Sequence, residues 1–211
     1  PHADAAPLLG GIIMKLIVAS NNAHKVAELD AILSALGFEV CSLEEAGLHV
    51  EPEETGETFE ENSYIKARAT LEASGCATVA DDSGLMVRAL NGAPGVHSAR
   101  YGGLDSDRAR LELLLHNMEH EDDRAACFVS VITLLLPNGR KIVARGECPG
   151  ELLREAHGEG GFGYDPIFYI PEAGCTFAEM PAEQKNRISH RARALKLLTE
   201  KIGKEQWDAD E

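Results

Sequence analysis

The N-terminal part of the chain alternates between two hydrophobic periods, and that alternation limits what it can fold into. Lys15-Leu16-Ile17-Val18-Ala19 is a short, nearly continuous apolar run of the kind that becomes a buried strand. Ser20-Asn21-Asn22 punctuates it. From Ala23 the residues Val26, Leu29, Ile32, Leu33 and Leu36 recur at helical spacing until Gly37 stops the run. Phe38-Glu39-Val40 reads as a second strand. A helix is predicted over roughly Phe59 to Ser74, with Gly75 as its terminator, and Ala77 to Ala80 is the next strand. Leu85-Met86-Val87 continues it beyond a polar interruption. Later, Asp107 to His116 is helical and Ala125 to Leu136 is strand-like. "PNG" is a hairpin turn onto Lys141 to Glu147, Ile167 to Ile170 is strand, and Ser189 to Ile202 is an amphipathic helix. Strand–helix alternation followed by a hairpin predicts an α/β protein with a mixed central sheet.

Composition narrows the partners. The 211 residues suffice for one large α/β domain or two lobes sharing a core. No apolar run approaches the roughly 20 residues that span a bilayer; Leu8 to Ile17 is broken by Gly10, Gly11 and Lys15. Residues 1–13 lack the basic start of a secretory signal and read as an extension outside the functional part. Residues 14–203 read as the α/β domain and 204–211 as an acidic tail. A net charge of −15 disfavours a nucleic-acid polymer as partner. It leaves room for a small anion held by a local cluster of lysine, arginine and metal. The five cysteines are odd in number and contain no C-x-x-C, which disfavours a disulfide framework or structural zinc and points to a reducing cytoplasm. Each reads as a small buried hydrophobe. His116 and His120 stand four apart with no third ligand evident, so zinc is not favoured.

Four stretches carry candidate chemistry. The first is Thr78-Val79-Ala80-Asp81-Asp82-Ser83-Gly84-Leu85. Taken alone, its Asp, Ser and Gly favour a turn. The sharper reading is a cation site at a strand end, because adjacent carboxylates repel unless a metal or lysine neutralises them. If strand geometry persists there, the two aspartates point to opposite sides and have different roles. The second is Ser20-Asn21-Asn22-Ala23-His24-Lys25, where a strand yields to a helix. Backbone amides and the positive dipole end favour phosphate, and Lys25 lies one turn inside; the plain alternative is an N-cap and a surface lysine. The third, Gly158 to Gly163, formally matches G-x-G-x-x-G, yet a loop precedes it and a strand-like run follows. That context excludes a dinucleotide fold. Its glycines instead let backbone approach a ligand, with Phe162 and Tyr164 offering aromatic faces to a base; the alternative is a tight loop with two core aromatics. The fourth is the cluster Lys185, Ser189, His190 and Arg191, either a helix cap with surface charge or a donor set for a phosphate or keto oxygen. Among the acidic residues Glu53, Glu54, Glu57, Glu60 and Glu61, most read as helix-dipole partners, and one suffices to complete a magnesium site with an aspartate.

The order of these stretches is more specific than any of them. "ASNNAHK", "EETGETFEEN", "ADDSGL", "GAPGVHSARY", "GGFGYDPIF" and "AEMPAEQKNRISHRARAL" together closely resemble the inosine triphosphate pyrophosphatase (Ham1-like) family, over nearly all of Lys15 to Ile202. The resemblance implies a two-lobed α/β fold with a long mixed central sheet flanked by helices and an active-site cleft between the lobes. It implies a homodimeric, cytoplasmic, magnesium-dependent enzyme that converts ITP, dITP or XTP to the monophosphate and pyrophosphate. Carried onto this sequence, Ser20, Asn21, Asn22, Ala23, His24 and Lys25 hold phosphates, with Asn21 standing where many members have glycine. Asp82 is the proton acceptor and a metal contact, and Glu53 is a second metal contact. Ser83, Phe162, Gly163, Tyr164, Asp165, Lys185, His190 and Arg191 contact the nucleotide, and Lys66 falls on a helix lysine suited to phosphate.

Overall fold

The computed structural model describes residues 15–35 and 37–204. The extension over residues 1–13, the position of Leu36 and the tail beyond residue 204 lie outside the described residues. Seven strands form one sheet in the order β2-β1-β3-β4-β5-β6-β7. In chain order the elements are β1 (Lys15–Val18), α1 (Ala23–Ala35), β2 (Glu39–Ser42), α2 (Phe59–Ser74), β3 (Thr78–Val87), α3 (Asp107–Asn117), β4 (Ala125–Leu135), β5 (Lys141–Leu152), β6 (Phe168–Ile170), β7 (Cys175–Thr176), α4 (Ala182–Ile188) and α5 (His190–Lys204). β1 pairs in parallel with β2 and β3, whereas β5–β6 and β6–β7 are antiparallel. The sheet is therefore mixed, as the alternation followed by a hairpin predicts.

The chain divides into two compact units. Among the described residues, one comprises those up to Asp82, Val131–Gly146 and those from Ala194; the other comprises Ser83–Ser130 and Glu147–Arg193. Each has its own apolar core. In the first, Leu16 and Val18 of β1, Leu29 and Leu33 of α1, and Leu195 and Leu198 of α5 pack with Ile132 and Leu134 of β4. In the second, Leu111 and Leu114 of α3 pack with Phe128, Phe168 and Phe177. No helix among the described residues is long and apolar enough to cross a membrane.

One departure from the sequence reading bears on the site. The stretch Asp81 to Gly84 is not a turn or a strand end: β3 runs without interruption from Thr78 to Val87, and Asp81 and Asp82 are buried in its middle. Burial of the flanking Val79, Ala80, Leu85 and Val87 outweighs the local turn preference of Asp, Ser and Gly. The expected final helix is α5, with Ser189 Oγ accepting from Ala192 N at 3.2 Å as its cap; the short α4, for which the sequence reading has no element, ends at Ser189. α3 ends at Asn117, one residue past the expected His116, so His116 and His120 do not share a helix face.

The helix that carries Lys66 is fixed at both ends. Thr58 accepts from Glu61 N while the Glu61 carboxylate accepts from Thr58 N, a reciprocal capping box, and Gly75 closes the C-terminus in the left-handed region at φ 67°. Thr58→Ala is expected to lower stability by about 1 kcal/mol. A urea midpoint shifted downward at unchanged slope checks it.

Candidate active site

The two aspartates of β3 each hold a lysine. Asp81 Oδ2 lies 3.0 Å from Lys25 Nζ, and Asp82 Oδ1 lies 2.8 Å from Lys66 Nζ. Opposite-pointing neighbours in a strand reach different elements, here α1 and α2. Lys66 also lies 3.3 Å from Glu54 Oε1. Burial pushes the Asp82 carboxyl above the usual carboxylate range, and Lys66 and Lys25 only partly offset it. Burial also works against the Lys66 ammonium, but the charges of Asp82 and Glu54 outweigh it and keep Lys66 protonated. The second oxygen of Asp82, Oδ2, is buried and has no hydrogen-bond partner. A buried carboxylate oxygen without a donor is what a cation or an ordered water would complete.

The turn between β1 and α1 is an exposed cap for the helix that follows. Asn22 Oδ1 accepts from His24 N at 3.0 Å and Lys25 N at 3.1 Å, and Ser20 Oγ accepts from Asn22 N at 3.2 Å. Asn21, Asn22, Ala23 and His24 are exposed and Ser20 is half-buried. Asn21 has no left-handed backbone to strain it. Its side chain donates to Val50 O at 3.1 Å and to Glu51 Oε1 at 3.4 Å, tying the turn to the acidic loop. Asparagine thus fills a place that glycine can also fill, and adds a tether.

In that acidic loop the two adjacent glutamates are placed differently. Glu53 is exposed, and no side-chain contact to Asp82 or Lys66 involves it. Glu54 is the residue beside Lys66. Buried Asn62 holds the loop, accepting from Gly56 N at 2.8 Å; a Cβ on Gly56 would stand 2.6 Å from Asn62 Oδ1. The capping box could be read from sequence, but nothing in it distinguishes Glu54 from Glu53.

The remaining predicted residues belong to the other unit. Asp165 Oδ2 accepts from Lys185 Nζ at 2.7 Å and from Phe162 N at 2.9 Å, and both charged side chains are almost wholly buried. Lys185 Nζ stands 5.0 Å from the centre of the Phe162 ring. Gly161 is required here: its φ is +69°, and a Cβ would meet Asp165 Oδ2 at 2.0 Å. Tyr164 does not present an aromatic face. Its ring is buried, its hydroxyl donates to Ser98 O at 2.8 Å, and burial raises its pKa well above the ordinary value. Phe162 is half-buried and lines a cavity of about 570 Å³ together with Gly163, Asp107 and Leu111. Asp107 Oδ2 accepts from Gly163 N at 2.9 Å and clips the loop to α3, a contact with no sequence signal across 56 positions.

His190 and Arg191 open α5 from inside the protein. The His190 ring stacks on Phe128 with centroids 4.8 Å apart. Arg191 is 1% exposed and donates from Nη2 to Ser83 Oγ at 3.1 Å. The arginine is thus placed by burial, and the surface-charge alternative for this cluster does not hold. All five cysteines are free thiols, but the expectation of a buried hydrophobe holds for Cys148 alone, whose thiol burial pushes up to about 11; Cys41, Cys127 and Cys175 are half-buried and Cys76 is exposed.

Residues 16–201 match the family model of the Ham1 family. The chain belongs to the Ham1 family. A dITP/XTP pyrophosphatase of Thermus thermophilus is 48% identical over 189 residues, covering 89% of this chain and 91% of the relative. Two solved structures share the fold. The Ham1 protein of Staphylococcus aureus superposes with a TM-score of 0.79 at 42% identity, covering 89% of this chain and 97% of its own. The HAM1 protein of Coxiella burnetii gives 0.81 at 40% identity, covering 92% and 100%.

The raised pKa of Asp82 sets a stability signature. The native state binds this proton at higher pH than the unfolded chain, so the ionised carboxylate costs stability at neutral pH and its protonation recovers it in acid. Without divalent ions, Asp82→Asn is expected to gain in melting temperature on wild type near neutrality. The gain should shrink as pH falls through the native pKa. A gain that grows on acidification would reverse the sign assigned to Asp82.

Proposed function

We propose that this Ham1-family chain is a nucleoside triphosphate pyrophosphatase that cleanses the nucleotide pool of deaminated purines. Its substrates are ITP, dITP and XTP; its products are the monophosphate and pyrophosphate. One observation carries the chemistry: a buried carboxylate, Asp82, with one oxygen on a lysine and the other without a donor. The name shared by close relatives, dITP/XTP pyrophosphatase, supplies the substrate class.

Magnesium fits these residues. Hard cations choose carboxylate oxygens and keep several waters, and Asp82 Oδ2 with the Glu53–Glu54 pair would hold one. When bound, the ion supplies positive charge at the triphosphate and lowers the pKa of a water. Lys25, Lys66 and the exposed turn from Ser20 to His24 hold phosphate oxygens in line. Asp82 orients the attacking water and takes its proton. The new oxygen–phosphorus bond forms at the α-phosphorus as the α–β bridge breaks, and pyrophosphate leaves with the bridging electron pair. The burial that raises the Asp82 pKa makes it a better base than an ordinary carboxylate.

In the other unit, Phe162 stacks on the base, held by Asp165 and Gly163, while Lys185 fixes Asp165. Donors of His190 and Arg191 serve the 6-keto oxygen of hypoxanthine or xanthine. The 6-amino group of adenine would leave them mispaired, at about 1–3 kcal/mol for each buried group. The same reading includes homodimeric assembly, which light scattering on the purified protein tests, and a cytoplasmic location, which five free thiols suit.

Incubation with ITP, dITP, XTP, ATP, GTP and dUTP, with magnesium and no coupling enzyme, tests bond and base together. Pyrophosphate from the first three alone is the expected result; orthophosphate alone would break the mechanism. Arg191→Ala is expected to raise KM for ITP by about tenfold or more, matching one lost buried contact. An unchanged KM would remove Arg191 from the nucleotide site.

A further inference from the structure

Lys66 already occupies the position between two carboxylates where a cation is useful. Its ammonium lies 2.8 Å from Asp82 Oδ1 and 3.3 Å from Glu54 Oε1. Its side chain is 13% exposed and that of Asp82 is 7% exposed, so water screens the arrangement poorly. Asp81 has Lys25 at 3.0 Å, and its charge adds to those of Asp82 and Glu54 in favouring the Lys66 ammonium. The unpartnered Asp82 Oδ2 shows that the lysine leaves the carboxylate incompletely satisfied.

An ammonium and a divalent cation compete for such a pair. Both are attracted by the same charges, and they repel each other at contact distance. A triphosphate changes the balance by giving the ammonium other oxygens, and lysine's flexible four-carbon stem lets it swing to them.

We propose that Lys66 is a built-in counter-cation that keeps the Asp82–Glu54 pair from binding a divalent metal until a nucleoside triphosphate draws the ammonium onto its phosphates. This rests on the magnesium reading given above. Metal and nucleotide then bind with positive coupling, reciprocal by linkage, and part of that coupling resides in one side chain. The free protein stays metal-poor, and the chemistry that the ion would supply becomes available only with substrate in place.

The test measures Mn²⁺ binding by electron paramagnetic resonance of the free ion, with and without the α,β-methylene analogue of ITP. It compares wild type, Lys66→Met, Lys66→Arg and Asp82→Asn. Without the analogue, Lys66→Met is expected to bind Mn²⁺ roughly tenfold or more tightly than wild type, as removal of a unit charge at contact distance predicts. Lys66→Arg, which keeps the charge, is expected to stay near wild type. The analogue should tighten Mn²⁺ binding by a larger factor in wild type than in Lys66→Met. Lys66→Gln, which keeps an N–H donor for Asp82, replaces the methionine variant if that variant does not fold. Equal Mn²⁺ affinity in the free wild type and the neutral variants overturns the proposal, provided the analogue complex of wild type binds Mn²⁺. Failure of the magnesium reading looks different: no form, with or without the analogue, binds Mn²⁺ more tightly than Asp82→Asn, and the proposal falls with it.

Discussion

Two ionised carboxylates side by side in a strand interior need two cations, and much of the site is arranged around that need. Asp81 and Asp82 are nearly inaccessible, and burial of an unpaired charge costs several kcal/mol. The alternation of the strand sends them to different sides. Lys25 meets one from α1 and Lys66 meets the other from α2. Those two helices are in turn tied down by caps, Asn22 for α1 and the Thr58–Glu61 box for α2. A carboxylate pair in β3 thus dictates where two helices must begin and how they must be oriented.

The same logic recurs around the glycine-rich loop. Asp165 and Lys185 neutralise each other in a dry interior, and the same aspartate oxygen also accepts from the Phe162 amide. Tyr164 anchors the loop through Ser98, whose own hydroxyl accepts from Leu85 N in β3. Asp107 holds the loop at Gly163. These buried groups shape the loop that carries Phe162; the half-buried ring is the part left available to a ligand. Residues that a motif presents as one binding set therefore divide into those that position and those exposed for contact.

The unequal treatment of the two aspartates is what makes one of them chemically useful. Asp81 faces a lysine at ion-pair distance. Asp82 shares its lysine with Glu54, keeps one oxygen without a donor and has its pKa raised by burial. A fully satisfied carboxylate would be a structural element only. One that is incompletely satisfied stores the capacity to bind a cation or take a proton, at a cost in stability that the surrounding core supports.

Much of the fold was legible because it is written in local periods. The run Lys15 to Ala19, the 3.6-residue pattern from Ala23, the boundaries of α2 and the "PNG" hairpin all reflect which side chains face a core, and the mixed sheet follows from their order. The ordered motifs likewise identified the family and the residues to inspect. Other features were decided by contacts far apart in the chain. Local preference favoured a turn at Asp81 to Gly84, and burial between neighbouring strands made it the middle of β3. Glu54 rather than Glu53 reaches Lys66 because Asn62 fixes the loop at Gly56, and one residue's difference in direction cannot be read from two adjacent glutamates. Sequence alone determined which charges this protein carries and in what order. Tertiary structure decided which of them are buried, which are paired and that Asp82 Oδ2 is left without a donor, because desolvation and pairing depend on neighbours that only the folded chain brings together.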